Sequence, residues 1–151
     1  MSENPTFIPH ITCSNAAAAI DFYKAAFGAV ELTRHMAPHS DRIMHCHLLV
    51  NGGDLMLSDD FSAQMGGKSE TPVALGGSPV TLALVVEDAQ AVWDSAVAAG
   101  ATVTMPLADQ FWGDRYGQFR DPSGHKWSIS QTIATPTEEE ITRAAAEAFA
   151  G

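Results

Sequence analysis

A chain of 151 residues is long enough for one domain, or for two small half-domains that share a core. Its 18 acidic and 8 basic residues leave a formal charge of −10, with no basic stripe that could displace the counterions of a nucleic acid. The 46% apolar fraction is that of a globular protein. No apolar run approaches the ~20 residues that span a bilayer, and the N-terminus carries no secretory signal pattern, so the cytoplasm is the expected compartment.

Phe7 to Cys13 reads as a first strand, with Phe7, Pro9, Ile11 and Cys13 on one face and Ile8, His10 and Thr12 on the other. Asn15 is an N-cap for a helix running to Phe27, with Ala19, Ile20, Tyr23 and Phe27 in its apolar stripe and Gly28 as its C-cap. Ala29 to His35 and Asp41 to Val50 read as the next two strands. Asn51-Gly52-Gly53 then makes a tight hairpin into a fourth, Asp54 to Ser58. Residues 59–79 are rich in Gly, Ser and Pro, without periodicity, and read as a long loop. Pro79 to Val86 reads as a buried strand. Asp88 caps a helix that carries Val92, Trp93, Ala96 and Val97 and stops at Gly100. Ala101 to Leu107 is a strand, followed by a turn-rich segment around Trp112 and by strands over Tyr116 to Arg120 and His125 to Gln131. Pro136 opens a last helix, with Thr135 or Thr137 as its cap and Glu138, Glu139 and Glu140 suited to its N-terminal dipole. Its apolar residues are mostly alanine, as in a surface or interface arm. Cys13 and Cys46 lie in apolar strands with no Cys-x-x-Cys, which predicts buried thiols and no disulfide.

The order strand, helix, three strands is thus written twice. Gly28 and Gly100 each end a helix, 72 residues apart; Gly53 and Gly124 lie in the last hairpin of each copy, 71 apart; His10 and Thr81 hold matching places on the first strands, also 71 apart. This internal repeat divides a single domain, residues 1–135, into module 1 (5–60) and module 2 (78–133), with 59–79 as the link and 136–151 as a C-terminal helix.

The strings Pro9-His10-Ile11, Ala19 to Ala29 (AIDFYKAAFGA), Leu75-Gly76-Gly77, Asp109 to Gly117 (DQFWGDRYG) and Asp121 to Trp127 (DPSGHKW) resemble the vicinal-oxygen-chelate superfamily of glyoxalase I, extradiol dioxygenases and bleomycin-resistance proteins. Within it they are most similar to the PhnB-like branch. The resemblance covers nearly the whole chain. It implies an α+β fold of two βαβββ half-barrel modules around a small-molecule pocket, and a homodimer as the working unit. It also implies that a divalent metal, where one is used, is held from the first and last strands of each module. Those places carry His10, Met56, Thr81 and Ser128.

Of these, only His10 suits a divalent ion, because a thioether is a poor ligand for a hard cation and neutral hydroxyls bind weakly. His45 and His47 alternate along one strand and share a face, so His10 and His47 form a second possible ligand pair; His35 and His39 read as surface residues, and His125 as a hairpin-end residue. Trp112 and Tyr116 offer flat apolar surfaces and Arg115 a planar fork of five donors, equipment for a planar or anionic ligand. His47 and Ser128 join them as pocket residues. The other reading of Arg115 pairs it with Asp109 or Asp114 to hold the loop. Trp93 and Trp127 fall on core stripes. There is no nucleophile elbow, and the absence of a glycine-rich dinucleotide fingerprint argues against a methyltransferase.

Two function classes follow. One is a lyase or dioxygenase in which a divalent ion on His10 polarises vicinal oxygens. The other is a metal-independent protein of the bleomycin-resistance type that sequesters a small molecule. The depleted ligand set and the charge of −10 favour the second, while the intact His10 and Arg115 favour an enzyme-like site. The reading is a superfamily member with a small-molecule pocket between its modules and an undetermined specific activity.

Overall fold

The computed structural model describes residues 4–150. Module 1 runs β1 (His10–Cys13), α1 (Ala16–Phe27), β2 (Val30–Met36), β3 (Ile43–Val50) and β4 (Gly53–Asp59). The link contains α2 (Pro72–Leu75). Module 2 repeats the order in β5 (Thr81–Val85), α3 (Ala89–Ala99), β6 (Thr102–Asp109), β7 (Asp114–Arg120) and β8 (Lys126–Thr132), and α4 (Glu138–Ala148) closes the chain. Each module forms one four-stranded sheet, in the orders β1-β4-β3-β2 and β5-β8-β7-β6. The first strand runs parallel to the last and the other pairs are antiparallel. The architecture is α+β, two βαβββ half-barrel modules plus a C-terminal helix.

The helices begin and end where side-chain chemistry dictates. The Asn15 and Asp88 carboxamide and carboxylate accept from the N–H groups of Ala18 and Ala91, each at 3.1 Å, and Gly28 and Gly100 end their helices in the left-handed region. A further bond ties each helix to its own sheet. Asp59, the last residue of β4, accepts from the backbone of Ala16 at 2.8 Å and of Ile43 at 2.7 Å. Gln131 of β8 accepts from Ala89 at 2.9 Å in the matching place. The repeat therefore extends to the bond that seats each helix N-terminus.

Both helices lie on the same side of the two sheets, and strand alternation sorts the residues. On β3, Cys46, Leu48 and Val50 are buried toward the helices, while His45 and His47 point to the open face. Aromatic side chains join the modules. Tyr23 and Phe27 of α1 meet Trp127 with ring centroids 5.3 and 4.9 Å apart, and Phe22 and Phe27 meet Phe119 at 6.3 and 6.1 Å. Each fully buried ring of this kind contributes roughly 1.5–3 kcal/mol, so neither module has a core independent of the other. Both cysteines are free and buried; burial pushes the Cys13 thiol up to about 12 and the Cys46 thiol up to about 11.

The structure departs from the sequence reading in three places. The first strand starts at His10, not Phe7, and Phe7 is 91% exposed, because β4 offers partners only from Met56 onward, whose N–H takes the Pro9 carbonyl. The strand read as buried over 79–86 spans Thr81–Val85 and buries only Leu84, because β5 is an edge strand with a single neighbour. The link is not all loop: Thr71 caps the single turn of α2, with Pro72 at its start and Gly76 at its end. At the C-terminus Thr137 forms a capping box with Glu140, and no residue of α4 is buried.

Candidate functional site

The first and fifth strands are the edges of their sheets, and no ladder joins them. Between them lies a slot of about 660 Å³, within the range of small-molecule sites. Its apolar wall comes from Ile11, Leu55, Leu82, Leu84 and Trp127, and its polar rim from His10, Thr12, Asp54, Glu70, Thr81 and His125.

Two reciprocal hydrogen bonds close the ends of the slot. The Asn51 side chain, from the β3–β4 hairpin, donates to the Val85 carbonyl at the end of β5 at 2.7 Å. The His125 ring, from the β7–β8 hairpin, meets the Thr12 carbonyl on β1 at 2.8 Å. A carbonyl can only accept, so His125 carries a proton on Nε2. Each module thus reaches across with a hairpin side chain to the edge strand of the other.

The open face of the first sheet extends from the slot. Met56 lies opposite His10 on one side and His47 on the other, so the two histidines stand on alternate strands with a thioether between them. His47 is turned to Asp54, Nε2 to Oδ2 at 2.7 Å. His45 sits in the next row, with its ring 6.0 Å from His10 and 6.3 Å from His35. Burial holds its pKa below the ordinary histidine value, and repulsion from His10, His35 and His47 acts the same way. Among the described residues, no group of three or more His, Cys, Asp or Glu side chains has a geometry fit for a metal ion.

On the second sheet Thr81 lies opposite Lys126, whereas Ser128 lies opposite Ala83 and Gln118 and is 2% exposed. The two hydroxyls therefore belong to different rows. The donor set that the resemblance implies does not fit a divalent ion: one imidazole, one thioether, and two hydroxyls out of register.

The Trp112 segment is a tight turn between β6 and β7, away from the slot. Trp112 donates to Asp114 at 2.9 Å and packs on Tyr116 with centroids 5.6 Å apart, and Gln118 donates to the Tyr116 hydroxyl at 2.8 Å. Alternation sends Arg115 to the opposite face of β7 from Tyr116. There its guanidinium donates to Asp109 at 2.8 Å and holds that carboxyl below its ordinary range. Trp112 and Tyr116 come together; Arg115 does not join them, and none of the three lines the slot. Of the residues singled out in the sequence, the slot brings together His10 and Thr81, with His47 one hydrogen bond away through Asp54. Asn51, Asp54, Glu70 and His125 were not marked by the sequence as site residues. The hairpin asparagine and the turn histidine each have a sufficient local role, and only the packing of the modules shows the second one.

A second hollow of about 300 Å³ lies under the link. There the Arg42 guanidinium donates to the Asp60 carbonyl and stacks 4.3 Å from the Phe61 ring, and hydrogen bonds from Ser62 and Ser69 lower the Asp60 carboxyl to about 2.

Comparison with known proteins agrees with this architecture. The chain is 48% identical over 140 residues to the uncharacterized protein Rv0887c of Mycobacterium tuberculosis, covering 93% of this chain and 82% of that protein. Among solved structures, TioX from Micromonospora sp. ML1 superposes with a TM-score of 0.65 at 26% identity, covering 86% of this chain and all of that one. The Arabidopsis thaliana At5g48480 gene product gives 0.63 at 27%, covering 86% and 99%. The model of the Glyoxalase/Bleomycin resistance protein/Dioxygenase superfamily matches residues 7–129, and the chain belongs to that superfamily.

Proposed function

We propose that this protein binds a cationic small molecule in the slot between its modules without using a metal ion, and acts by sequestration and not as a lyase or dioxygenase. The observation that carries the reading is the donor set at the four ligand positions, where His10 alone is a competent ligand and His47 is engaged by Asp54. The apolar wall supplies hydrophobic contact. Asp54 and Glu70 on the rim, in a chain of charge −10, favour a positive ligand.

The open faces of the sheets leave Val30 53% and Val85 67% exposed, which supports a homodimer in which a second copy covers them. Free buried thiols agree with a reducing cytoplasm.

Elemental analysis after dialysis, paired with titration of a planar cation such as ethidium, tests the reading. Substoichiometric metal and saturable binding that perturbs the slot residues are the expected results. Stoichiometric divalent metal that disappears in His10→Ala would overturn sequestration in favour of the metalloenzyme class.

A further inference from the structure

Two kinds of hydrogen bond reveal which backbone groups face the slot. On β1 the Pro9 carbonyl is taken by Met56 of β4, while the Thr12 carbonyl is taken from the other side by His125. On β5 the N–H next after the strand, that of Val86, bonds Ser130 of β8, whereas the Val85 carbonyl is taken by Asn51. Backbone groups alternate in direction along a strand. The backbone of His10 and Thr12, and of Thr81, Ala83 and Val85, is therefore aimed into the slot. The pins engage only the carbonyls at the two ends, Thr12 and Val85.

Between the pins β5 presents an edge, the arrangement that accepts an added strand. The slot's two sides differ in chemistry. The helix side is Ile11, Leu55, Leu82, Leu84 and Trp127; the open side is His10, Asp54 and Thr81, and Glu70 reaches the slot from the link. A chain laid along β5 would turn alternate side chains to these two sides.

We propose that the ligand is a short peptide-like chain that adds as a strand to the slot-facing edge of β5, its apolar side chains toward Leu82, Leu84 and Trp127 and its cationic ones toward Asp54 and Glu70. At about 3.3 Å per residue, a five-residue strand pinned at one end accommodates about four residues. This inference rests on the proposed small-molecule slot and narrows its ligand from cations in general to those with an amide backbone.

The test is a nuclear magnetic resonance titration of the full chain with three probes: a pool of capped tetrapeptides with lysine fixed at one position, the same pool with alternate amides N-methylated, and ethidium. The expected result is saturable binding of the first pool, shifts and slowed exchange at the Thr81 and Ala83 amides, and about tenfold or greater weakening on N-methylation. Ala83→Pro removes a slot-facing N–H from an edge strand, where proline is tolerated. It should weaken the peptides about tenfold and ethidium, which needs no backbone hydrogen bond, far less, with Ala83→Ser as the folded control. Equal binding of both pools, or peptide binding that bypasses β5, overturns strand addition. Ethidium in the slot without peptide binding overturns this inference and leaves the cation-binding reading standing. If neither probe perturbs slot residues, both readings fall.

Discussion

Asp121 is buried, and its carboxylate accepts four bonds: from the Tyr23 hydroxyl at 2.5 Å, the Trp127 ring at 2.8 Å, and the backbones of Ser123 at 2.9 Å and His125 at 3.0 Å. Tyr23 and Asp121 belong to strings almost a hundred residues apart, and this node joins them. It also shapes the turn from which His125 reaches β1. Burial raises the Tyr23 hydroxyl well above its ordinary value, and the neighbouring Asp121 charge adds to that, so the phenol remains a donor throughout the working range. Tyr23→Phe should cost roughly 1.5–3 kcal/mol, the worth of a hydrogen bond to a charged acceptor, read from urea unfolding midpoints. At the surface, Glu31 accepts from Arg34 at 2.7 Å and Lys24 at 2.8 Å. Those bonds lower its pKa, the Arg34 bond most. A depressed carboxylate pKa adds stability that is complete above the unfolded value near 4.5 and is lost as pH falls through the folded value. Glu31→Gln should thus lower the melting temperature slightly at pH 7, by under about 1 kcal/mol in stability. In melts recorded at successively lower pH the gap between variant and parent should close.

Elements are positioned by side chains that their own local sequence does not explain. Gly117 sits mid-strand in β7, where glycine has no conformational advantage. A Cβ there would lie 2.6 Å from the Trp93 ring, so the glycine is what lets α3 settle onto its sheet. Gly117→Ala should destabilise by about 1–3 kcal/mol through overpacking, measured by chemical denaturation, with loss of the native Trp93 fluorescence environment. Gly113 combines a positive φ of 102° with a Cβ position that would overlap the Ala134 carbonyl; its own carbonyl accepts from Ile133 and Ala134 at 2.8 and 3.0 Å, which locks the exit of β8 against the Trp112 turn. The caps and breakers of α1, α3 and α4 were legible because a cap acts within four residues of itself. The start of β1 and the exposure of β5 were not, because a strand exists only as far as its partner reaches. Arg115 illustrates the same limit: its pairing with Asp109 depends on the register of β6 against β7, one of two readings that the sequence left open.

At the scale of the molecule, the modules are held by the shared aromatic core and by the Asn51 and His125 clasps. Asn51→Ala and His125→Ala should each cost about 0.5–1.5 kcal/mol, with the losses adding because the bonds lie at opposite ends of the slot. Hydrogen exchange should quicken on the outer edges of β1 and β5 and stay unchanged within β3 and β7; equal quickening throughout would show the clasps to be ordinary contributors to global stability. The fold was readable almost whole from the amino acids, since repeat spacing, helix caps and the alternation of Cys46 and Leu48 with His45 and His47 are local properties of the chain. The residue types at His10, Met56, Thr81 and Ser128 are likewise a matter of identity, although only the resemblance singled those positions out. Only the tertiary structure forms the slot. The slot is made of two strand edges 71 residues apart, its polar rim draws on both edge strands, the link and the hairpin residue His125, and the Trp112 turn does not line it. Long-range juxtaposition has no local signature, so the site waited on the packing of one module against the other.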